Sequence, residues 1–88
     1  VAILKRVSDG AGDSGARVEA RRWNEDGTFD KVVDNRPVVG CEFLVGSVTA
    51  RMFGDQDYWL TTAVTEILEE TKEFVRFKTG NSEYTFWF

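Results

Sequence analysis

Tyr58 and Trp59 stand side by side between Asp57 and Leu60-Thr61-Thr62. Large amphipathic rings next to a polar turn are the residues that most often anchor a binding partner. They can equally be packing groups, with Trp59 closing the open end of a small barrel. Trp87 belongs to Tyr84-Thr85-Phe86-Trp87-Phe88, a run whose rings alternate onto both faces of an extended chain. A strand that is apolar on both sides is normally covered on both sides. So short a chain has little protein to spare for that, and the pattern predicts a homodimer that uses Trp87. Tyr58, Trp59 and Trp87 are therefore the candidate contacts for a protein or small-molecule partner.

A second set is basic. Arg17 and Arg21 alternate with Val18 and Ala20, sharing a face with Glu19 and Trp23, and Arg76 and Lys78 share one with Phe74. If the two strands neighbour each other, rings and guanidiniums form a platform of the kind that binds single-stranded nucleic acid. The alternative is an ordinary exterior face with ion pairs to Glu19, Glu66 and Glu83. A net charge of −4 favours the latter, because phosphate binding rests on many cationic contacts.

Catalytic chemistry finds little to work with. There is no histidine, the usual general base near neutral pH and the commonest metal ligand. Ser-His-Asp and Cys-His nucleophiles are thereby excluded, and no phosphate-binding glycine motif or paired C-x-x-C occurs. Asp9 with Asp13, and Asp55 with Asp57, offer oxygens for a hard cation but lack the twelve-residue calcium loop with its terminal Glu. They read as solvated turns, so neither metal nor cofactor is expected. Tyr58 with Asp55 or Asp57 at a barrel mouth is a third option, a small-molecule site or a weak enzyme. Carboxylates can act alone, which leaves catalysis open, but no pair is nominated for it, and the leading reading is non-enzymatic.

The elements that position these residues are short and extended. Residues 2–7 form a first strand, and 8–15 (SDGAGDSG) a flexible loop of small and acidic residues, the segment most prone to disorder. Arg17–Trp23 is a strand, Asp26-Gly27 supplies the positive φ of a hairpin turn, and 28–33 returns. After Pro37, a long strand over 42–52 is bent near Gly46. Gly80-Asn81 fixes a hairpin pairing Lys78–Glu83, Phe77–Tyr84, Arg76–Thr85, Val75–Phe86 and Phe74–Trp87. One register then gives an opposite-charge pair and three apolar pairs. A loop at 69–73 gives a second hairpin, pairing Leu68–Phe74, Ile67–Val75 and Glu66–Arg76. The rival reading of that segment is a helix at 62–72, whose Val64, Ile67, Leu68 and Thr71 fall on one stripe.

The run 59–67 (WLTTAVTEI), followed by 77–86 (FKTGNSEYTF), resembles small uncharacterised proteins of phages, integron gene cassettes and related mobile elements. Those often carry Thr/Ser-Thr/Ser-x-Val and end in Thr-x-Asn-Ser-x-Tyr, matched by Thr61-Thr62-Ala63-Val64 and Thr79-Gly80-Asn81-Ser82-Glu83-Tyr84. The resemblance covers the last third of the chain. It implies a mobile-element origin and a β-rich fold, and it brings no functional residue with it.

The sequence thus predicts one domain over 1–88, mainly β, a small half-open antiparallel barrel of five or six strands. The α+β alternative packs the 62–72 helix on an antiparallel sheet. A single cysteine, Cys41, excludes an internal disulfide and suits a reducing cytoplasm. No apolar run approaches the roughly 20 residues of a membrane-spanning helix, and the opening Val1-Ala2-Ile3-Leu4 is too short for a signal sequence. The leading function is a non-enzymatic binding or protein-interaction module. The alternatives are a single-strand nucleic-acid binder and a small-molecule-binding barrel.

Overall fold

A computed structural model describes residues 2–47 and 58–88. Nine strands run through them: β1 (Ala2–Arg6), β2 (Gly12–Gly15), β3 (Arg17–Trp23), β4 (Phe29–Asp34), β5 (Glu42–Gly46), β6 (Tyr58–Leu60), β7 (Val64–Glu70), β8 (Phe74–Thr79) and β9 (Glu83–Trp87). The mainly β expectation holds. The strands form two antiparallel sheets, one ordered β2-β1-β9-β8-β7 and the other β4-β3-β5-β6. No barrel closes among the described residues. The strand count exceeds five or six because edge strands as short as three residues carry too little pattern to be seen in sequence.

Alternation explains which faces meet. Val75, Phe77 and Thr79 of β8 and Tyr84 and Phe86 of β9 are buried, while the residues between them are more open. From the other sheet come Ala20, Phe43 and Val45, so the core lies between the two layers. Phe43 of β5 is its centre. Its ring meets Phe77 edge-on at 5.7 Å and Phe86 at 4.8 Å, and Phe77 stacks on Tyr84 at 5.4 Å. Where β6 ends, the buried Thr61 takes over its pairing. The Thr61 hydroxyl oxygen accepts the Phe43 N–H at 3.1 Å, and the Thr61 N–H donates to the Phe43 carbonyl at 2.8 Å.

The Phe74–Trp87 hairpin adopts the expected register at all five pairs. The rival helix at 62–72 does not form. Val64–Glu70 is a strand against β8, where it satisfies backbone groups that a helix would have left without partners. Its register differs from the expected one. Ile67 lies opposite Phe77, and Glu69 and Glu70 lie opposite Arg76 and Val75, with irregularities at Val64/Glu66 and Ile67/Glu69. This setting brings Ile67 onto the core. The loop tightens accordingly, because the Thr71 hydroxyl accepts the N–H groups of both Glu73 and Phe74 at 3.1 Å. The long strand expected over 42–52 ends at Gly46; its remainder, from residue 48, lies outside the described residues.

The segment 8–15, expected to be a flexible loop, is half turn and half strand. Gly12–Gly15 pairs with β1 in the register Ala2↔Gly15 to Lys5↔Gly12. Its turn is tied by Asp9, whose carboxylate receives the Arg6 guanidinium at 3.0 and 2.6 Å and the Ala11 N–H at 3.0 Å. These bonds, Arg6 first, hold the Asp9 carboxyl at about 2. A folded-state value below the unfolded one means that the tie is complete above the ordinary Asp range near 4 and is lost as pH falls through about 2. An NMR titration of the Asp9 carboxyl is therefore expected to give a midpoint near 2. A midpoint close to 4, that of an ordinary Asp, would show that Arg6 does not hold it in solution.

Candidate functional site

Tyr58 and Trp59 are neighbours in β6, and neighbours in a strand point to opposite faces. Opposite them on β5 stand Gly46 and Val45. Trp59 turns inward and packs against the core, and its indole N–H donates to the Tyr84 hydroxyl at 3.2 Å. The Arg6 guanidinium lies 5.2 Å from the centre of its ring. Trp59 thus fastens β6 of the four-stranded sheet to β1 and β9 of the other. Tyr58 turns outward, with the Arg17 guanidinium 5.7 Å from its ring. Gly46, between Arg17 and Tyr58 in the register, has no side chain to separate them. The two rings do not line one pocket, and Asp55 and Asp57 lie outside the described residues.

Trp87 is on the outer face of the five-stranded sheet. Ile3 of β1, Trp87 of β9 and Phe74 of β8 stand in one row across three strands. Ile3 and Trp87 retain 37% and 38% exposure, and Phe88 beside them retains 42%. These values mark side chains neither buried nor fully solvated. A shallow cleft of about 390 Å³ runs between Ile3, Lys5, Trp87 and Phe88. The next row across the sheet is Lys5, Thr85, Arg76 and Glu69, and the one beyond holds Glu83, Lys78 and Glu66. Arg76 contacts Glu69 at 3.3 Å and Glu83 at 3.4 Å. Exposed pairs like these add at most about 1 kcal/mol to stability. Their consequence is a face whose charges of both signs are mixed.

The four basic candidates do not meet. Arg17 and Arg21 are on β3 of the four-stranded sheet, whereas Arg76 and Lys78 are on β8 of the five-stranded one. Both pairs alternate with core residues and therefore face away from the core on opposite sides of the sandwich. Among the described residues the four do not form the shared platform expected of neighbouring strands. On β3, Glu19 accepts from the Arg17 guanidinium at 3.0 Å and from that of Arg21 at 2.8 Å. Burial pushes the Glu19 carboxyl up, but the two arginine bonds outweigh it and hold it below its ordinary value. Both guanidiniums thus share one carboxylate.

Sequence reading did not nominate Phe29, Glu42 or Leu60, which complete the outer face of the four-stranded sheet. Phe29 meets Trp23 edge-on at 5.4 Å and lies 5.1 Å from the Arg21 guanidinium. The Asp-Gly turn was the available signal for Phe29, since a hairpin there brings 28–33 back beside Trp23. Glu42 and Leu60 had no local signal, because they reach this face through the β3–β5 and β5–β6 pairings. No family model, curated protein or solved structure matches the chain.

Proposed function

We propose that the protein is a non-enzymatic interaction module that pairs with a second copy of itself through the outer face of the five-stranded sheet. The row Ile3–Trp87–Phe74, exposed at Ile3 and Trp87 and half-buried at Phe74, carries this reading, since contiguous accessible apolar side chains rimmed by polar ones are the usual mark of a contact surface. A second copy suits the face because its charges balance. Lys5, Arg76 and Lys78 are interspersed with Glu66, Glu69 and Glu83, whereas the chain as a whole carries −4. Two copies approaching through this face avoid much of their mutual repulsion, and a two-fold contact sets the same patch against itself. Trp87, flanked in the row on both sides, is the residue placed to act as the anchor.

The resemblance of 59–67 and 77–86 to mobile-element proteins supports an origin in such an element. The single buried Cys41 supports a reducing, cytoplasmic setting. No helix among the described residues is long and apolar enough to cross a membrane.

Sedimentation equilibrium across a dilution series tests the reading. The wild-type chain is expected to approach twice its monomer mass in the high micromolar range. Trp87→Lys is expected to shift the midpoint by about 2 kcal/mol or more, roughly thirtyfold in Kd. An unchanged far-UV spectrum would show that the variant still folds. A wild-type chain that stays monomeric throughout sinks the proposal.

A further inference from the structure

We infer that the cleft on the outer face of the four-stranded sheet, framed by Trp23, Gly27, Glu42 and Leu60, binds an alkylammonium group such as a lysine side chain. The cleft measures about 480 Å³, within the range of small-ligand sites. It is separate from the proposed self-association face, which lies on the opposite side of the sandwich.

Three kinds of group meet in it, and together they match one chemistry. Glu42 supplies a negative charge. Its neighbour in the β3–β5 register is Arg21, yet the Arg21 guanidinium bonds to Glu19 and lies against Phe29. Among the described residues Glu42 therefore has no ion-pair partner. Trp23 supplies an indole, the ring that attracts cations most strongly, and Phe29 braces it at an interplanar angle of 72°. Leu60 supplies an apolar wall for the methylenes of a long cationic side chain. The turn residue Gly27 has no side chain to obstruct the mouth. An anion would meet Glu42, and a neutral alkyl group would leave that carboxylate unmatched. The net charge of −4 adds a favourable field for any cation that approaches.

The experiment is an NMR titration of the whole chain, following the Trp23 indole and Glu42 backbone N–H signals. The probes are n-butylammonium, Nα-acetyl-lysine methylamide and the uncharged Nα-acetyl-norleucine methylamide. Both cations are expected to shift the two signals saturably, and norleucine amide to leave them in place. Glu42→Gln and Trp23→Leu are each expected to weaken the lysine derivative roughly fivefold or more, with dispersed spectra showing that the variants fold. Tighter binding of the lysine derivative than of butylammonium would identify a protein side chain as the source. Equal binding would identify a free amine. Equal shifts with norleucine amide, or undiminished binding to Glu42→Gln, overturn the inference.

Discussion

Phe43→Ala is expected to lose about 3–5 kcal/mol of folding stability, the usual cost of deleting a buried phenyl ring. The size follows from where the ring sits. Phe43 has no exposure, comes from β5 of the four-stranded sheet, and wedges between Phe77 and Phe86 of the five-stranded one. Removing it leaves a void bounded by two backbone layers that cannot close without disturbing their own ladders. Two edge-on aromatic contacts, each worth about 0.5–1.5 kcal/mol beyond buried area, are lost as well. Domains of this kind have only about 5–15 kcal/mol in total, so the variant should be largely unfolded at modest urea concentrations. Urea titration measures it through a lower midpoint at an unchanged slope. A loss below about 1 kcal/mol would mean that the two sheets do not meet at this ring.

Gly15→Ala is expected to cost about 2–3 kcal/mol, although it adds a single methyl group. The chain leaves β2 at Gly15 and enters β3 two residues later, crossing from one sheet to the other. At that corner a Cβ on Gly15 would collide with the backbone carbonyl of Gly46. Backbone on both sides leaves no rotamer to relieve the overlap, so β2 and β5 must move apart. Gly10 supplies the comparison. Its φ of +73° disfavours alanine, but nothing lies within 4 Å of the added carbon. Gly10→Ala is therefore limited to the backbone term of about 1–2 kcal/mol. Denaturant unfolding of both variants separates the effects, and a Gly15→Ala loss no larger than that of Gly10→Ala would refute the close approach.

The parts of the fold that were legible in sequence are those whose information is local. The final hairpin could be registered because Gly80-Asn81 fixes the loop, and the flanking residues alternate cleanly into Phe77–Tyr84 and Val75–Phe86. Arg17–Trp23 was legible for the same reason. Residues 64–70 were harder, since Val64 and Ile67 are spaced as well for a helix stripe as for a bulged strand, and the β8 edge decided between them. Residues 12–15 carry no strand signal at all, because Gly, Asp and Ser have poor β propensity. They are held by the partner strand β1 and by the tie between Arg6 and Asp9.

The candidate site shows the same division. The outward placement of Trp87 was not anticipated as part of a row, because Ile3 joins it only through the β1–β9 pairing. The separation of Arg17 and Arg21 from Arg76 and Lys78 depends on which strands share a sheet, and no segment of sequence contains that information. The divergence of Tyr58 and Trp59 could have been read directly, since it needs nothing beyond the alternation of a strand.

The position of β1 has a consequence for how the chain is made. β1 lies between β2 and β9, so one edge of the first strand is completed by the last. During synthesis the β1–β2 hairpin can close early, but its other edge stays open until every intervening strand has emerged. Leu4, fully buried opposite Phe86 in the finished molecule, is uncovered through that interval. Non-local pairing of this kind slows folding and leaves strand edges exposed to other chains. With one carboxylate and two glycines, β2 is itself a poor template, so the edge that the half-made product exposes to other chains is the β9 side of β1.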